Sequence, residues 1–179
     1  MNLPNKITIF RVCMIPVFLV FMLVPGIPFG NYIATAVFVI ACLSDALDGH
    51  IARKHNLVTN FGKFMDPLAD KLLVCSALIC FVELSYMPAW IVIVIIAREF
   101  IISGFRLIAS DNGVVIAASY WGKFKTIAQM ITCILLIVQL PFAWIEVVEQ
   151  VFIWLALALT VISLCEYIWK NKGVLKETK

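Results

Sequence analysis

Residues 31–84 read NYIATAVFVIACLSDALDGHIARKHNLVTNFGKFMDPLADKLLVCSALICFVEL. Two apolar runs, 31–52 and 66–84, flank a polar stretch whose turn residues extend from Asn56 to Gly62. Each run has about the 20 residues that a helix needs to cross the hydrocarbon core of a bilayer, so the stretch predicts a helical hairpin with its connection at one membrane face. Its four aspartates lie within the runs, near the connection. Asp45 and Asp48 stand near the end of the first, at i and i+3, and Asp66 and Asp70 open the second, at i and i+4. Each pair shares a helix face. With the first helix starting near Asn31, Asp45 lies about 21 Å along it, in the last third of a core about 30 Å thick.

The rest of the chain extends this pattern. Of 179 residues 63% are hydrophobic and 14% charged, and the mean hydropathy is +1.03. Soluble domains are nearer half apolar and a quarter charged, so a soluble globule is excluded and lipid is the remaining solvent. Apolar stretches over 7–25, 31–52, 66–84, 88–110, 123–141 and 146–169 predict six transmembrane helices, an all-α polytopic bundle forming a single integral membrane domain over 1–179. The breaks carry turn chemistry: Pro25 to Gly30, Asn56 to Gly62, Pro88, Asp111 to Gly113, and Pro141. The first stretch also resembles a signal peptide, with Lys6 and Arg11 before an apolar run, but it lacks a small-x-small cleavage site. Of the 14 Lys and Arg, none lies in the first, third or fifth connection, which places both termini and the second and fourth connections in the cytoplasm. A net charge of +3 argues against a nucleic-acid surface. The six cysteines, at 13, 42, 75, 80, 133 and 165, have no CxxC or zinc-like spacing and read as small apolar fillers. Trp90, Trp121, Trp144 and Trp169 fall near span ends, as interfacial anchors do.

Carboxylates inside membrane spans cost a few kcal/mol each and mark function by default. If the hairpin folds its two pairs together, four carboxylates share a partly dry site and either protonate or recruit cations. Oxygen ligands suit Mg²⁺ or Mn²⁺, and a pair of such ions is a recurrent device for phosphoryl transfer. Three plainer readings remain at this point. Asp66 before Pro67 is a good N-cap and N1 pair for the third helix. Asp45 and Asp48 could pair with Arg53 or Lys71, or the quartet could relay cations or protons in a transporter. Gly49, Ala52 and Gly62 leave little side-chain bulk around the acids, and Arg53, Lys54 and Lys63 add positive charge suited to a pyrophosphate. His50 and His55 read as surface residues.

In order, Asp45-x2-Asp48-Gly49-x2-Ala52-Arg53-x8-Gly62-x3-Asp66-x3-Asp70 resembles, at every motif position, the signature of the CDP-alcohol phosphotransferase family. The resemblance implies a six-helix membrane enzyme of the cytoplasmic membrane, a homodimer, with two divalent metals (Mg²⁺ or Mn²⁺) held by Asp45, Asp48 and Asp66. Asp70 would be the general base, touching metal as well. The CDP donor would lie against Asn5, Thr8, Asp48, Gly49, Ala52, Arg53 and Gly62 and would release CMP. Further stretches, Leu3 to Thr8 with Arg11, Gly62 to Lys71, Arg98-Glu99-Phe100 with Gly104 and Arg106, and Gly122-Lys123-x-Lys125-Thr126, resemble the branch that uses CDP-diacylglycerol as donor and sn-glycerol 3-phosphate as acceptor. Its product would be phosphatidylglycerophosphate. The same chemistry with serine, inositol or phosphatidylglycerol as acceptor stays open, as does the transporter. A prenyltransferase, which also binds diphosphate through Asp and Mg²⁺, lacks the Gly49, Ala52, Arg53 and Gly62 pattern.

An acceptor phosphate needs its own cations. Arg98, Arg106, Lys123 and Lys125 lie on the fourth span, at the following cytoplasmic side and at the start of the fifth span. Arg98 is about ten residues into its span, near mid-bilayer, where an arginine requires a partner or a wet cavity. Glu99 points away from its neighbour Arg98, and Arg106 lies about 10 Å further along the axis, so Glu99 is not the expected partner of either. Asn5, Thr8 and Arg11 either contact the nucleotide or cap the first helix and snorkel to its interface.

Overall fold

The structure, a computed structural model, describes the backbone of residues 3–54, 60–111 and 119–171. Within them the side chains of 3–4, 45–54, 60–67, 110–111 and 143 are outside the described set. The described residues form six helices and no strand: α1 (Leu3–Leu23), α2 (Gly30–Lys54), α3 (Asn60–Glu83), α4 (Ala89–Asp111), α5 (Tyr120–Val138) and α6 (Ala143–Asn171). The three described connections fall where the turn residues predict them. Between α1 and α2, Gly26 adopts φ +86 and Phe29 φ 58. Gly30 then begins α2 so close to α1 that a Cβ would stand 3.0 Å from the Phe21 carbonyl oxygen. After α3 the Tyr86 N–H donates to the Phe81 carbonyl at 2.8 Å and the Ser85 N–H to that of Val82 at 3.0 Å, the crossed pair that closes a helix C-terminus. Gln139, at φ 48, ends α5 before Pro141. The connections at 55–59 and 112–118 lie outside the described residues.

One expectation is corrected here. α3 begins at Asn60, so Asp66 and Pro67 are inside the helix rather than at its cap. Likewise α1 starts at Leu3 and continues through Pro16, which makes Asn5 and Thr8 interior positions.

The chain packs as two compact units. The first, Met1–Tyr86 with Cys133–Leu140, contains α1, α2 and α3, each in contact with the other two. Its core alternates bulk with small residues: Phe18 and Met22 of α1, Ala34, Phe38 and Ala41 of α2, and Leu73, Ala77 and Phe81 of α3 are all buried. Phe18 meets Phe38 with ring centroids 5.9 Å apart. Toward the start of α1 and the end of α2 the same interface turns polar, where Arg11 donates from Nε to the Ser44 hydroxyl at 3.4 Å.

The second unit, Met87–Thr132 with Pro141–Lys179, contains α4, α6 and α5 as far as Thr132. Trp90 pairs with Trp154 at 6.0 Å and Phe105 with Tyr167 at 6.2 Å. The two pairs follow the same order along both helices, so α4 and α6 run parallel. Thr132 donates to the Phe152 carbonyl at 3.2 Å, near the start of α6, whereas Lys125 reaches Glu99 further along α4. α5 therefore runs against both.

The outward surfaces are apolar. Ile9, Phe10, Val17 and Val20 of α1, Ile93 and Phe100 of α4, and Val147, Val151 and Val161 of α6 are exposed, an arrangement that lipid, not water, stabilises. Among the described residues three helical segments are long and apolar enough to cross a membrane: Asn5–Leu23, Tyr120–Val138 and Trp144–Asn171. Trp90, Trp121, Trp144 and Trp169 are exposed, and none of the six cysteines is in a disulfide.

Candidate functional site

In the first unit the acidic hairpin is the end of α2 and the opening turns of α3. Asp45 and Asp48 are on helical backbone in the last ten residues of α2, and Asp66 and Asp70 are on helical backbone in α3. The side chains of Asp45, Asp48, Ala52, Arg53 and Asp66 lie outside the described residues, as do the surroundings of Gly49 and Gly62. Asp70 is described. It is half-buried beside the buried Ala69, and both it and Lys71 have polar or charged partners. Among the described residues no three His, Cys, Asp or Glu side chains converge.

The N-terminal polar residues belong to this end of the unit. Asn5, Thr8 and Arg11 recur every third residue on α1, which keeps them near one face, and all three are buried and have partners. Arg11 is 0% exposed, so it does not snorkel. A guanidinium so enclosed requires partners on several sides. One of them, Ser44, immediately precedes Asp45 in α2. The stripe thus stands against the part of α2 that leads into the acids.

The second unit joins two of the basic residues, Arg98 and Lys125, at one carboxylate. Arg98, 8% exposed, donates from Nε to Ser163 Oγ at 3.2 Å and from Nη1 to Glu99 Oε1 at 3.0 Å. Lys125, 2% exposed, donates from Nζ to the same Glu99 oxygen. The third guanidinium nitrogen, Nη2, would lie 3.5 Å from a Cβ on Gly122. That glycine is held at the start of α5 by its N–H donating to Ser119 Oγ at 3.1 Å, an N-cap to the N3 position. Arg106 and Arg98 are the charged neighbours of the Tyr167 hydroxyl. Tyr167 is 4% exposed, and the Arg106 guanidinium is the hydrogen-bonding group beside its oxygen. Lys123 is exposed, its ammonium 5.5 Å from the centroid of the Tyr120 ring.

Four sequence-predicted cations are thus distributed unequally: Arg98 and Lys125 share an anion, Arg106 flanks a tyrosine, and Lys123 stands over an aromatic ring. The expectation that Glu99 points away from Arg98 is overturned. Adjacent Cβ atoms on a helix diverge by about 100°, but two long side chains bend back and meet beyond it. Ser163 and Tyr167 were not singled out from the sequence. They had a signal: Thr160, Ser163 and Tyr167 are polar at spacings of three and four within an apolar helix, and all three are buried.

Residues 1–162 match the CDP-alcohol phosphatidyltransferase family. The chain is 47% identical to the CDP-diacylglycerol–glycerol-3-phosphate 3-phosphatidyltransferase of Bacillus subtilis, covering 98% of this chain and 97% of that protein. It is 39% identical to the protein of the same name from Haemophilus influenzae, covering 97% and 95%. A probable phosphatidylglycerophosphate synthase of Mycobacterium tuberculosis is 37% identical over 93% of this chain and 80% of that protein.

Proposed function

Because the chain belongs to the CDP-alcohol phosphatidyltransferase family, we propose that it transfers the phosphatidyl group of CDP-diacylglycerol to sn-glycerol 3-phosphate, forming phosphatidylglycerophosphate and CMP in phospholipid biosynthesis. Relatives matching it nearly end to end carry that activity in their names. The observation that carries the choice of acceptor is the buried pair Arg98 and Lys125. Glu99 meets both cations but brings one negative charge to their two; a buried excess of positive charge favours an anionic ligand, and serine or inositol brings no phosphate.

In this reading the acceptor phosphate is held by Arg98, Arg106, Lys123 and Lys125, with the Tyr167 hydroxyl as a further donor. The acceptor hydroxyl oxygen attacks the phosphatidyl phosphorus, its proton passes to an Asp70 carboxylate oxygen, and the bond to CMP breaks with its electron pair leaving on CMP. Positioning and proton removal are what an alcohol nucleophile needs. Asn5, Thr8, Asp48, Gly49, Ala52, Arg53 and Gly62 would hold the CDP end of the donor. The donor set fits a hard divalent cation, since four carboxylates lie on the end of α2 and the start of α3, two helices packed on each other. Asp45, Asp48, Asp66 and Asp70 would hold two ions, Mg²⁺ or Mn²⁺, which when bound neutralise the diphosphate charge.

The setting belongs to the same proposal: six membrane spans forming one domain over 1–179, both termini and the acidic hairpin facing the cytoplasm, in the cytoplasmic membrane as a homodimer. The positive-inside distribution supports the orientation. The test is an acceptor panel on purified protein with CDP-diacylglycerol, reading CMP release. Release is expected with glycerol 3-phosphate and not with serine, inositol or phosphatidylglycerol. Release that follows serine or inositol while glycerol 3-phosphate is inert would refute the acceptor, and no release with any of them would refute the reaction class.

A further inference from the structure

Glu99 has no role in the reaction as proposed, yet it occupies the centre of the basic cluster. A phosphate monoester carries about −1.5 to −2 charge at pH 7, so a carboxylate beside its binding site opposes it unless the carboxylate does something for the cations. The geometry shows what that is. A single oxygen, Oε1, accepts from both Arg98 Nη1 and Lys125 Nζ. Arg98 is fixed on its opposite edge by Ser163 Oγ, 3.2 Å from Nε. Two of the three guanidinium nitrogens are thereby engaged, and the remaining one, Nη2, lies on the side where Gly122 has no Cβ. Lys125 belongs to α5 and Arg98 to α4, so the shared oxygen also sets the spacing of two cations that come from different helices and would otherwise repel.

We infer that Glu99 is the positioning residue of the acceptor-phosphate cradle. Its carboxylate holds Arg98 and Lys125 at the separation of two donors to one oxygen, so that an incoming phosphate meets cations already aligned. The inference rests on the acceptor reading above. It distinguishes Glu99 from a residue that merely ties α4 to α5, because a tie affects both substrates alike.

The experiment is steady-state CMP release with purified Glu99→Gln and Glu99→Asp, each substrate varied in turn. Glu99→Gln keeps the size and one acceptor oxygen but removes the charge. The KM for glycerol 3-phosphate is expected to rise about tenfold or more, as for loss of a charge-assisted bond. The KM for CDP-diacylglycerol and kcat should stay within about twofold, a factor worth under 0.5 kcal/mol. Glu99→Asp keeps the charge on a shorter arm and is expected to recover most of the loss. An unchanged or lower acceptor KM in Glu99→Gln overturns the inference, as do equal rises for both substrates or equal acceptor defects in the Gln and Asp variants. Should Glu99→Gln not be recoverable as a folded protein, an Asp variant with both KM values raised together overturns it as well. Wild-type protein that releases no CMP with glycerol 3-phosphate sinks the acceptor reading itself, a result separate from any of these.

Discussion

Replacing Tyr167 by Phe separates two effects of one hydroxyl. The ring is buried and packs edge-on against Phe105, with centroids 6.2 Å apart and an interplanar angle of 85°; Phe keeps that contact. Only the oxygen is removed, and with it the hydroxyl's interaction with Arg106; Arg98 is its second charged neighbour. A hydrogen bond of this kind contributes about 0.5–1.5 kcal/mol net. Its removal is therefore expected to lower stability by no more than about 1 kcal/mol, which for a chain of this size is a fall in Tm of about 2–4 °C at most. If the hydroxyl donates to the acceptor phosphate, the same change removes a hydrogen bond to a charged group, about 1.5–3 kcal/mol, and the KM for glycerol 3-phosphate rises roughly 10- to 150-fold. Thermal unfolding in detergent and CMP release with varied acceptor measure the two quantities on one preparation. Weakened acceptor binding with little change in Tm is the expected pair. An unchanged acceptor KM would remove Tyr167 from the site, and a fall in Tm well beyond about 4 °C would show that the hydroxyl serves the fold.

Three further outcomes follow. Asp70→Asn removes the proposed base while retaining its shape, and kcat is expected to fall by about 10²–10⁴, the usual contribution of general base catalysis; turnover near that of wild type would exclude Asp70 from proton transfer. Arg106→Ala should raise the apparent KM for glycerol 3-phosphate about tenfold, as loss of one charge-assisted contact implies, with little change for the donor, and an equal rise for both substrates would make its role structural. Gly30→Ala places a Cβ 3.0 Å from the Phe21 carbonyl oxygen; since a backbone atom cannot swing aside, overpacking of about 1–3 kcal/mol is expected, read as a lower Tm, and an unaltered Tm would show that α1 and α2 separate there without cost.

The helix boundaries show where local chemistry decides and where it does not. Pro25 with Gly26, Pro88 and Pro141 each fall in a described connection, where a missing N–H or a left-handed backbone disfavours a helix, although α1 continues through Pro16. Asp66 with Pro67 carries an equally good local signal for a helix start, and α3 nevertheless begins six residues earlier. A local capping signal is a preference and does not by itself fix where a helix begins. The reverse case is Ser119: an N-cap bonded to the Gly122 N–H opens α5, ahead of the predicted span, because hydropathy locates the apolar run and not the polar turn that starts the helix.

Depth in a membrane is a one-dimensional property, about 1.5 Å per residue along a helix, and it is legible from sequence. That is why Arg98 could be recognised as a charge in need of a partner, and why the acids at 45, 48, 66 and 70 stand out on stretches whose hydropathy predicts membrane helices. Choosing the partner is a different problem. It depends on how each helix is rotated about its axis and which helix it faces, and neither is contained in the periodicity of a single span. Ser163 is 65 positions from Arg98 in sequence and lies 3.2 Å from its Nε, whereas Glu99, adjacent in sequence, is reached only because two long side chains bend toward each other. Charge placement therefore identifies which residues must be satisfied, and the packing of α4 with α6 and with the first turns of α5 identifies Ser163, Glu99 and Lys125 as the groups that surround Arg98, with Gly122 leaving one edge of the guanidinium unobstructed by a side chain.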